Sequence, residues 1–279
     1  MSLKEKNSFS PDENFPEKGF FLSEEASEEA YRKKIDSSFR CTGLVFLLSF
    51  FLAGVFVSLG AAERNNDPSF SRDLFAGIIF FLPVIITGLY TRGFFTPGNM
   101  TPVFRRKLLP LYPEPLPEKK KLFLLSAAAF AGGIALQIPV LLLGALQKSI
   151  FLKLGISVLA QEKVSMISTI LSGSGDKFFP LVCMLFPPLF LAPFAEELFF
   201  RLILFDKIRE YTTKEYAIWV TTVIFALFHG NVAAFLPLVL VGFVCQKVCI
   251  KTSSLLPAVL LHTGFNFSTF LLLFAANAV

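Results

Sequence analysis

Seven apolar stretches, separated by polar segments, make up most of the chain after residue 40. Most of them are long enough to cross about 30 Å of hydrocarbon as α-helices. We therefore predict an all-α membrane helical bundle of about seven transmembrane helices, without an internal repeat. The predicted spans are residues 41–62, 74–90, 122–146, 178–205, 216–228, 233–248 and 255–276. The fifth span is short, and residues 150–160 are predicted to lie at the membrane interface.

The first 40 residues have a different composition, with nine acidic and seven basic side chains. A segment of this kind buries too little apolar surface to fold alone, so we predict a polar, cytosolic and largely mobile segment at residues 1–40. A short helix at residues 27–39 is the alternative, because Glu28 and Glu29 would lie at its start and three basic residues would follow. Residues 41–279 are predicted to form the integral membrane bundle.

The overall composition supports a membrane protein. Hydrophobic residues make up 54% of the 279 and charged residues 17%, whereas ordinary soluble domains are about 25% charged. The net charge of +5 is what cationic membrane loops give, so we expect no nucleic-acid partner. The four cysteines lie in or beside apolar segments without zinc-ligand spacing, and we interpret them as small hydrophobic residues.

The distribution of Lys and Arg predicts the orientation. Seven of these residues precede the first span and seven lie between the second and third, whereas the first-to-second loop has two and the fifth-to-sixth turn has none. The positive-inside rule then places the N-terminus and the Pro-rich residues 110–117 in the cytosol, and the C-terminus outside. From the loop-poor architecture we expect a bacterial inner membrane.

Five ionisable residues stand deep in apolar sequence: Glu196, Glu197, Arg201, His229 and His262. A charge near the middle of a membrane costs at least about 2.5 kcal/mol on insertion scales, so such residues indicate function. The two histidines are the only ones in the chain. Counting about 1.5 Å per residue from the predicted cytosolic ends, the carboxylates and both histidines reach one layer of the membrane from three helices.

Helical spacing predicts how these groups pair. Glu197 and Arg201 are four residues apart and can form an ion pair, whereas Glu196 is rotated by about 100° and is left free. His262 and Asn266 are also four residues apart and share a face. Phe225, one turn before His229, is expected to pack beneath that imidazole.

These groups are sufficient to activate water. A carboxylate in an apolar site is a competent general base near neutral pH. One histidine can orient the water, and a second histidine with an amide can stabilise a developing oxyanion. Because no Ser or Cys is comparably arranged with a base, direct attack by water is favoured over a covalent intermediate.

Three motifs carry a resemblance to a known family. They are Glu196-Glu197-x-x-x-Arg201, Phe225-x-x-x-His229 and His262-x-x-x-Asn266, in this order over roughly the last 90 residues. The sequence resembles the CAAX prenyl protease 2 family, also called the CPBP or Abi family of intramembrane peptidases. The N-terminal half shows nothing diagnostic.

The resemblance implies a catalytic core at about residues 178–279 and an intramembrane endopeptidase activity. Glu196 and His229 would activate the hydrolytic water, His262 and Asn266 would stabilise the oxyanion, and Glu197 with Arg201 would support the site. Eukaryotic relatives trim prenylated CAAX proteins, and many bacterial relatives are linked to bacteriocin self-immunity. The expected partners are the lipid bilayer and a peptide or protein substrate, lipidated or not; no cofactor is expected.

Several alternatives stay open beside this interpretation. Glu196, His229 and His262 could ligate zinc in a membrane metalloprotease, although the chain lacks a His-Glu-x-x-His motif. The same fold could serve a non-enzymatic immunity or scaffold protein. A proton-coupled transporter also uses buried acids and histidines, but transporters usually have repeats or paired broken helices. Asn266 could simply join helices, because amides form hydrogen bonds across membrane interfaces.

The charge asymmetry generates a topology prediction. A reporter fused after Val279 is expected to be external, and a reporter inserted at residues 110–117 is expected to be cytosolic. Paired phosphatase and fluorescent fusions measure both positions. A cytosolic C-terminus would contradict the predicted number of spans.

Overall fold

The computed structural model describes residues 17–62, 70–92, 119–156 and 178–277. These ranges form helices joined by turns and contain no β-strand, so the predicted all-α fold is confirmed. Seven helices lie within them: α1 (Glu17–Ala62), α2 (Phe70–Arg92), α3 (Lys119–Lys153), α4 (Phe178–Arg209), α5 (Lys214–Phe228), α6 (Phe235–Thr252) and α7 (Leu255–Asn277). Six of the seven are long and apolar enough to cross a membrane.

Helix α5 is the exception, and the predicted fifth span is corrected in this respect. Its 15 residues cover about 22 Å, less than the thickness of a bilayer core. Helix α6 leads back from α5 after a short turn at Val232–Ala234. The two helices pack against each other, with Gly242 of α6 beside Phe225 and Thr222 of α5.

Helix α1 begins at Glu17, well before the predicted first span at residue 41. Residues 17–40 of the predicted polar segment are therefore helical, and one face of the helix packs on its neighbours within residues 29–40. Ser38 is 1% exposed and its hydroxyl hydrogen-bonds Thr91 of α2 at 2.9 Å. Asp36 pairs with Lys207 of α4. Residues 1–16, 110–117 and 157–177, on which other sequence predictions fall, lie outside the described residues.

Aromatic side chains join α1, α4 and α5 in the core. The ring of Phe46 in α1 stacks on Phe199 at 4.2 Å between centroids and contacts Phe200 edge-on at 6.0 Å. The same ring lies 4.6 Å from Phe228, the last residue of α5. This packing fixes the end of α5 directly before His229.

Helices α3 and α7 cross in close backbone contact at two glycines. A Cβ added at Gly133 would overlap the backbone carbonyl of Leu261 and lie 2.8 Å from the nitrogen of Phe265. A Cβ added at Gly264 would overlap the backbone carbonyl of Phe130. Small residues allow backbones to approach in this way in membrane bundles. The crossing lies beside His262 and sets the position of α7.

This contact predicts opposite effects for two adjacent glycines. Gly133→Ala is expected to destabilise the protein by about 1–3 kcal/mol, because a methyl group must displace the backbone of α7. Gly132→Ala is the matched control: a Cβ there meets nothing within 4 Å, and removing a helical glycine stabilises by about 0.5–1 kcal/mol. Thermal unfolding in detergent measures both variants. Equal effects would contradict the close crossing.

Candidate active site

The two carboxylates lie on α4 between two local π-helical segments. The segments are Pro187–Leu191 and Leu198–Leu204, and the short α-helical segment Ala192–Glu197 lies between them. Prolines explain the first irregularity, since Pro188 and Pro193 have no N–H for the helical ladder. The N–H of Ala192 instead reaches back five residues to the carbonyl of Pro187. Single π turns inside α-helices occur frequently at functional sites.

Glu197 and Arg201 form the predicted ion pair, and both side chains are fully buried. The Nε of Arg201 donates to one carboxylate oxygen of Glu197 at 2.8 Å, and its Nη2 donates to the other at 3.3 Å. The second oxygen also lies 3.0 Å from Nδ1 of His262. Glu197 therefore joins the cation of α4 to the imidazole of α7.

Glu196 is free of this pair, as its rotation on the helix predicts. Its Oε2 is buried and finds no hydrogen-bond partner among the described residues. The same atom lies 3.8 Å from Nε2 of His229 and 3.9 Å from Nε2 of His262. Both separations exceed a direct hydrogen bond. Glu196 thus faces both imidazoles of the chain without touching either.

His229 follows the last residue of α5, where the chain leaves the helix. Its Nδ1 lies 2.8 Å from the carbonyl oxygen of Phe225. A carbonyl only accepts, so Nδ1 carries a proton and donates it. In the neutral ring, Nε2 is then an acceptor directed at Glu196. The His229 side chain is 28% exposed, which makes it the most accessible of the ionisable groups in the cluster.

Phe225 packs against three members of the cluster. Its ring centroid lies 4.6 Å from the guanidinium carbon of Arg201. It lies 4.7 Å from the ring of His229, as predicted, and 5.9 Å from the ring of His262. A cation over an aromatic face gains electrostatic attraction, which is greater where water is excluded. Phe225 therefore has more contacts in the site than the sequence pattern predicts.

Asn266 lies on the same helix as His262, but its described contact is with α4. Its Nδ2 donates to the backbone carbonyl of Pro188 at 2.7 Å. Thr263, which the sequence analysis did not identify, donates to the carbonyl of Leu189 at 3.1 Å. Pro193 is the sequence feature that indicates such a donor, because a proline leaves nearby carbonyls of α4 without their helical donors.

Glu196, His229 and His262 are the candidate ligands for a metal ion. Among the described residues, no group of three or more His, Cys, Asp or Glu side chains is arranged to hold a metal ion. Tetrahedral zinc with bonds of about 2.0–2.2 Å separates its ligand atoms by about 3.3–3.6 Å. The 3.8 Å and 3.9 Å between Glu196 and the two histidines are wider.

The fold and the site define a multi-pass helical membrane protein with ionisable groups held inside the bundle. Residues 178–268 match the family model described as type II CAAX prenyl endopeptidase Rce1-like. The matched segment runs from the start of α4 into α7 and contains all six predicted site residues. The resemblance is thereby confirmed for this third of the chain, and it supports a CAAX-type intramembrane protease. No curated protein and no solved structure matches the chain.

The buried pair predicts which residues stabilise the fold. Arg201→Ala leaves Glu197 buried without its cation, a loss that costs about 3–5 kcal/mol. We expect a lower folded yield and a lower unfolding temperature. Glu196→Gln removes no direct hydrogen bond of the described residues, so its unfolding temperature is expected to stay close to that of the wild type.

Size-exclusion profiles and thermal unfolding in detergent measure these effects. Arg32→Ala is the matched control for the loss of an arginine, because Arg32 is exposed on α1. Normal stability of Arg201→Ala together with a collapsed Glu196→Gln would reverse the two assignments.

Proposed function

We propose that the protein is an intramembrane endopeptidase in which Glu196 and His229 activate a water molecule for direct attack on a peptide bond. The observation that carries this proposal is the separation of 3.8 Å between Oε2 of Glu196 and Nε2 of His229. One water molecule with two hydrogen bonds of about 2.8 Å bridges atoms at this distance.

The protonation of His229 supports such a bridge. Its Nδ1 donates a hydrogen bond to the carbonyl of Phe225, so Nε2 is an acceptor in the neutral ring. The carboxylate of Glu196 also accepts. Two acceptors that face each other across this gap are joined by a molecule with two O–H donors, and water has both. A water oxygen held by two bases is oriented to lose a proton as it attacks.

His262 and Asn266 are the proposed oxyanion donors. His262 lies between two carboxylates, because Nδ1 contacts Glu197 and Nε2 faces Glu196. In the doubly protonated ring both nitrogens donate, so Nε2 can donate to an oxygen that becomes negative. The amide of Asn266 has a second N–H besides the one that binds Pro188. Glu197 and Arg201 hold His262 in place.

The proposed substrate is a membrane-associated peptide or protein cut near its C-terminus, as in a prenylated CAAX sequence. The apolar surroundings of the site and the family match at residues 178–268 support this class. The proposed location is a bacterial inner membrane with the N-terminus in the cytosol, on the basis of the charge distribution.

The proposal predicts that Glu196→Gln and His229→Ala abolish cleavage while the protein stays folded.

Removing an oxyanion donor lowers the rate less than removing the general base, so Asn266→Ala is expected to lower kcat by about 10²–10³-fold with little change in KM. A fluorogenic farnesylated CAAX peptide in liposomes measures this, and terminal proteomics of membranes with wild type or Glu196→Gln searches for other substrates. Glu215→Gln, an exposed carboxylate at the start of α5, is the matched control.

Elemental analysis of the same active preparation separates the alternatives. Stoichiometric zinc that disappears in His262→Ala would refute the metal-free carboxylate mechanism and support a metalloprotease. A Glu196→Gln variant that keeps full biological activity would support an immunity or scaffold role instead.

A further inference from the structure

Two neighbouring carbonyls of α4 lack the donors that a regular helix would supply. The carbonyl of Leu189 would accept from residue 193 in an α-helix, but residue 193 is proline. The carbonyl of Pro188 would accept from Ala192 in an α-helix, but the N–H of Ala192 is bound to the carbonyl of Pro187. In a π turn it would accept from residue 193, which is again the proline. Unpaired backbone acceptors inside an apolar bundle are costly, so donors from elsewhere are required.

Helix α7 supplies both donors from a single turn. The hydroxyl of Thr263 donates to the carbonyl of Leu189 at 3.1 Å, and the amide of Asn266 donates to the carbonyl of Pro188 at 2.7 Å. His262, directly before Thr263, contacts Glu197 at 3.0 Å. One turn of α7 therefore holds α4 at three points.

These three contacts lie close to the carboxylates along α4. Pro193 and Glu196 belong to the same short α-helical segment, Ala192–Glu197, which begins three residues after Leu189. Fixing the carbonyls therefore fixes the start of the segment, and the contact between Glu197 and His262 fixes its end. The direction of Glu196 toward the two imidazoles depends on both.

We propose that Thr263 is a positioning residue of the active site. Together with Asn266 it donates hydrogen bonds to the two carbonyls of α4 that lack helical donors near Pro193. These bonds direct Glu196 toward His229 and His262. This inference rests on the proposed peptidase function for its catalytic consequence. The contact between Thr263 and α4 itself does not depend on that function.

Thr263→Val tests the role, because valine keeps the branched shape and removes the donor. We expect kcat to fall about 10-fold or more, since small displacements of reacting groups are costly, and KM to change less than about 2-fold. Thr263→Ser, which restores the hydroxyl, is expected to recover kcat to within about 3-fold. Thr269→Val is the matched control: Thr269 also joins α7 to another helix, through Gln137 at 3.1 Å, and its loss is expected to leave kcat unchanged.

A second measurement is independent of activity. The chain contains only two histidines, so a protein labelled with ¹⁵N-histidine gives signals from His229 and His262 alone. We expect Thr263→Val to shift the His262 signals, Thr263→Ser to restore them, and Thr269→Val to leave them in place. Equal kcat and unchanged imidazole signals in Thr263→Val would overturn the proposal.

A double-mutant cycle identifies the origin of the effect. Pro193→Ala returns an N–H to α4, which can bind one of the open carbonyls. Thr263→Val is then expected to lower the unfolding temperature less in the Pro193→Ala background than in the wild type. An equal decrease of the unfolding temperature in both backgrounds would show that Thr263 does not replace the backbone donor that Pro193 lacks. A wild-type chain that cleaves no substrate would refute the proposed function, whereas the cycle and the imidazole signals would still decide the contact.

Discussion

The pair of Glu197 and Arg201 is the interaction on which the rest of the site depends. Two fully buried charges in an apolar bundle are tolerated only when each has a close and well-oriented partner. The neighbouring helices meet this need together: Phe225 of α5 covers the guanidinium, and His262 of α7 binds the carboxylate. Gly242 of α6 leaves room for the ring of Phe225, since a Cβ there would lie 3.0 Å from its Cδ1 atom. The charges thus define where four helices converge.

Helical periodicity was sufficient to predict the local arrangement of the site. The ion pair at four-residue spacing, the free Glu196 beside it and the ring of Phe225 beneath His229 all follow from the 3.6-residue repeat. Each of these relations lies within one helix. The convergence of α4, α5 and α7 on one layer could be anticipated because ionisable residues are excluded from the remaining apolar sequence.

Features that depend on contacts between helices could not be predicted in this way. Residues 36 and 38 of α1 have partners in α4 and α2, which the polar composition of the segment does not reveal. The π turns of α4 leave the positions of Pro188 and Leu189 irregular, and Thr263 resembles any helical threonine until these carbonyls are located. The motif of Asn266 predicts an oxyanion donor, with joining helices as the alternative, and does not indicate its hydrogen bond to the backbone of α4.

The hydrogen bonds of the site are unevenly distributed. Helices α4 and α7 are joined by three polar contacts, and α7 is in turn locked to α3 at the glycine crossing. The described hydrogen bond of His229, by contrast, is to its own helix, and the end of α5 meets α1 and α4 through aromatic rings. A seam without hydrogen bonds between described side chains thus runs between Glu196 and His229. In the proposed peptidase, a peptide chain that enters beside α5 would meet aromatic ring contacts, whereas the side formed by α4 and α7 is held by hydrogen bonds.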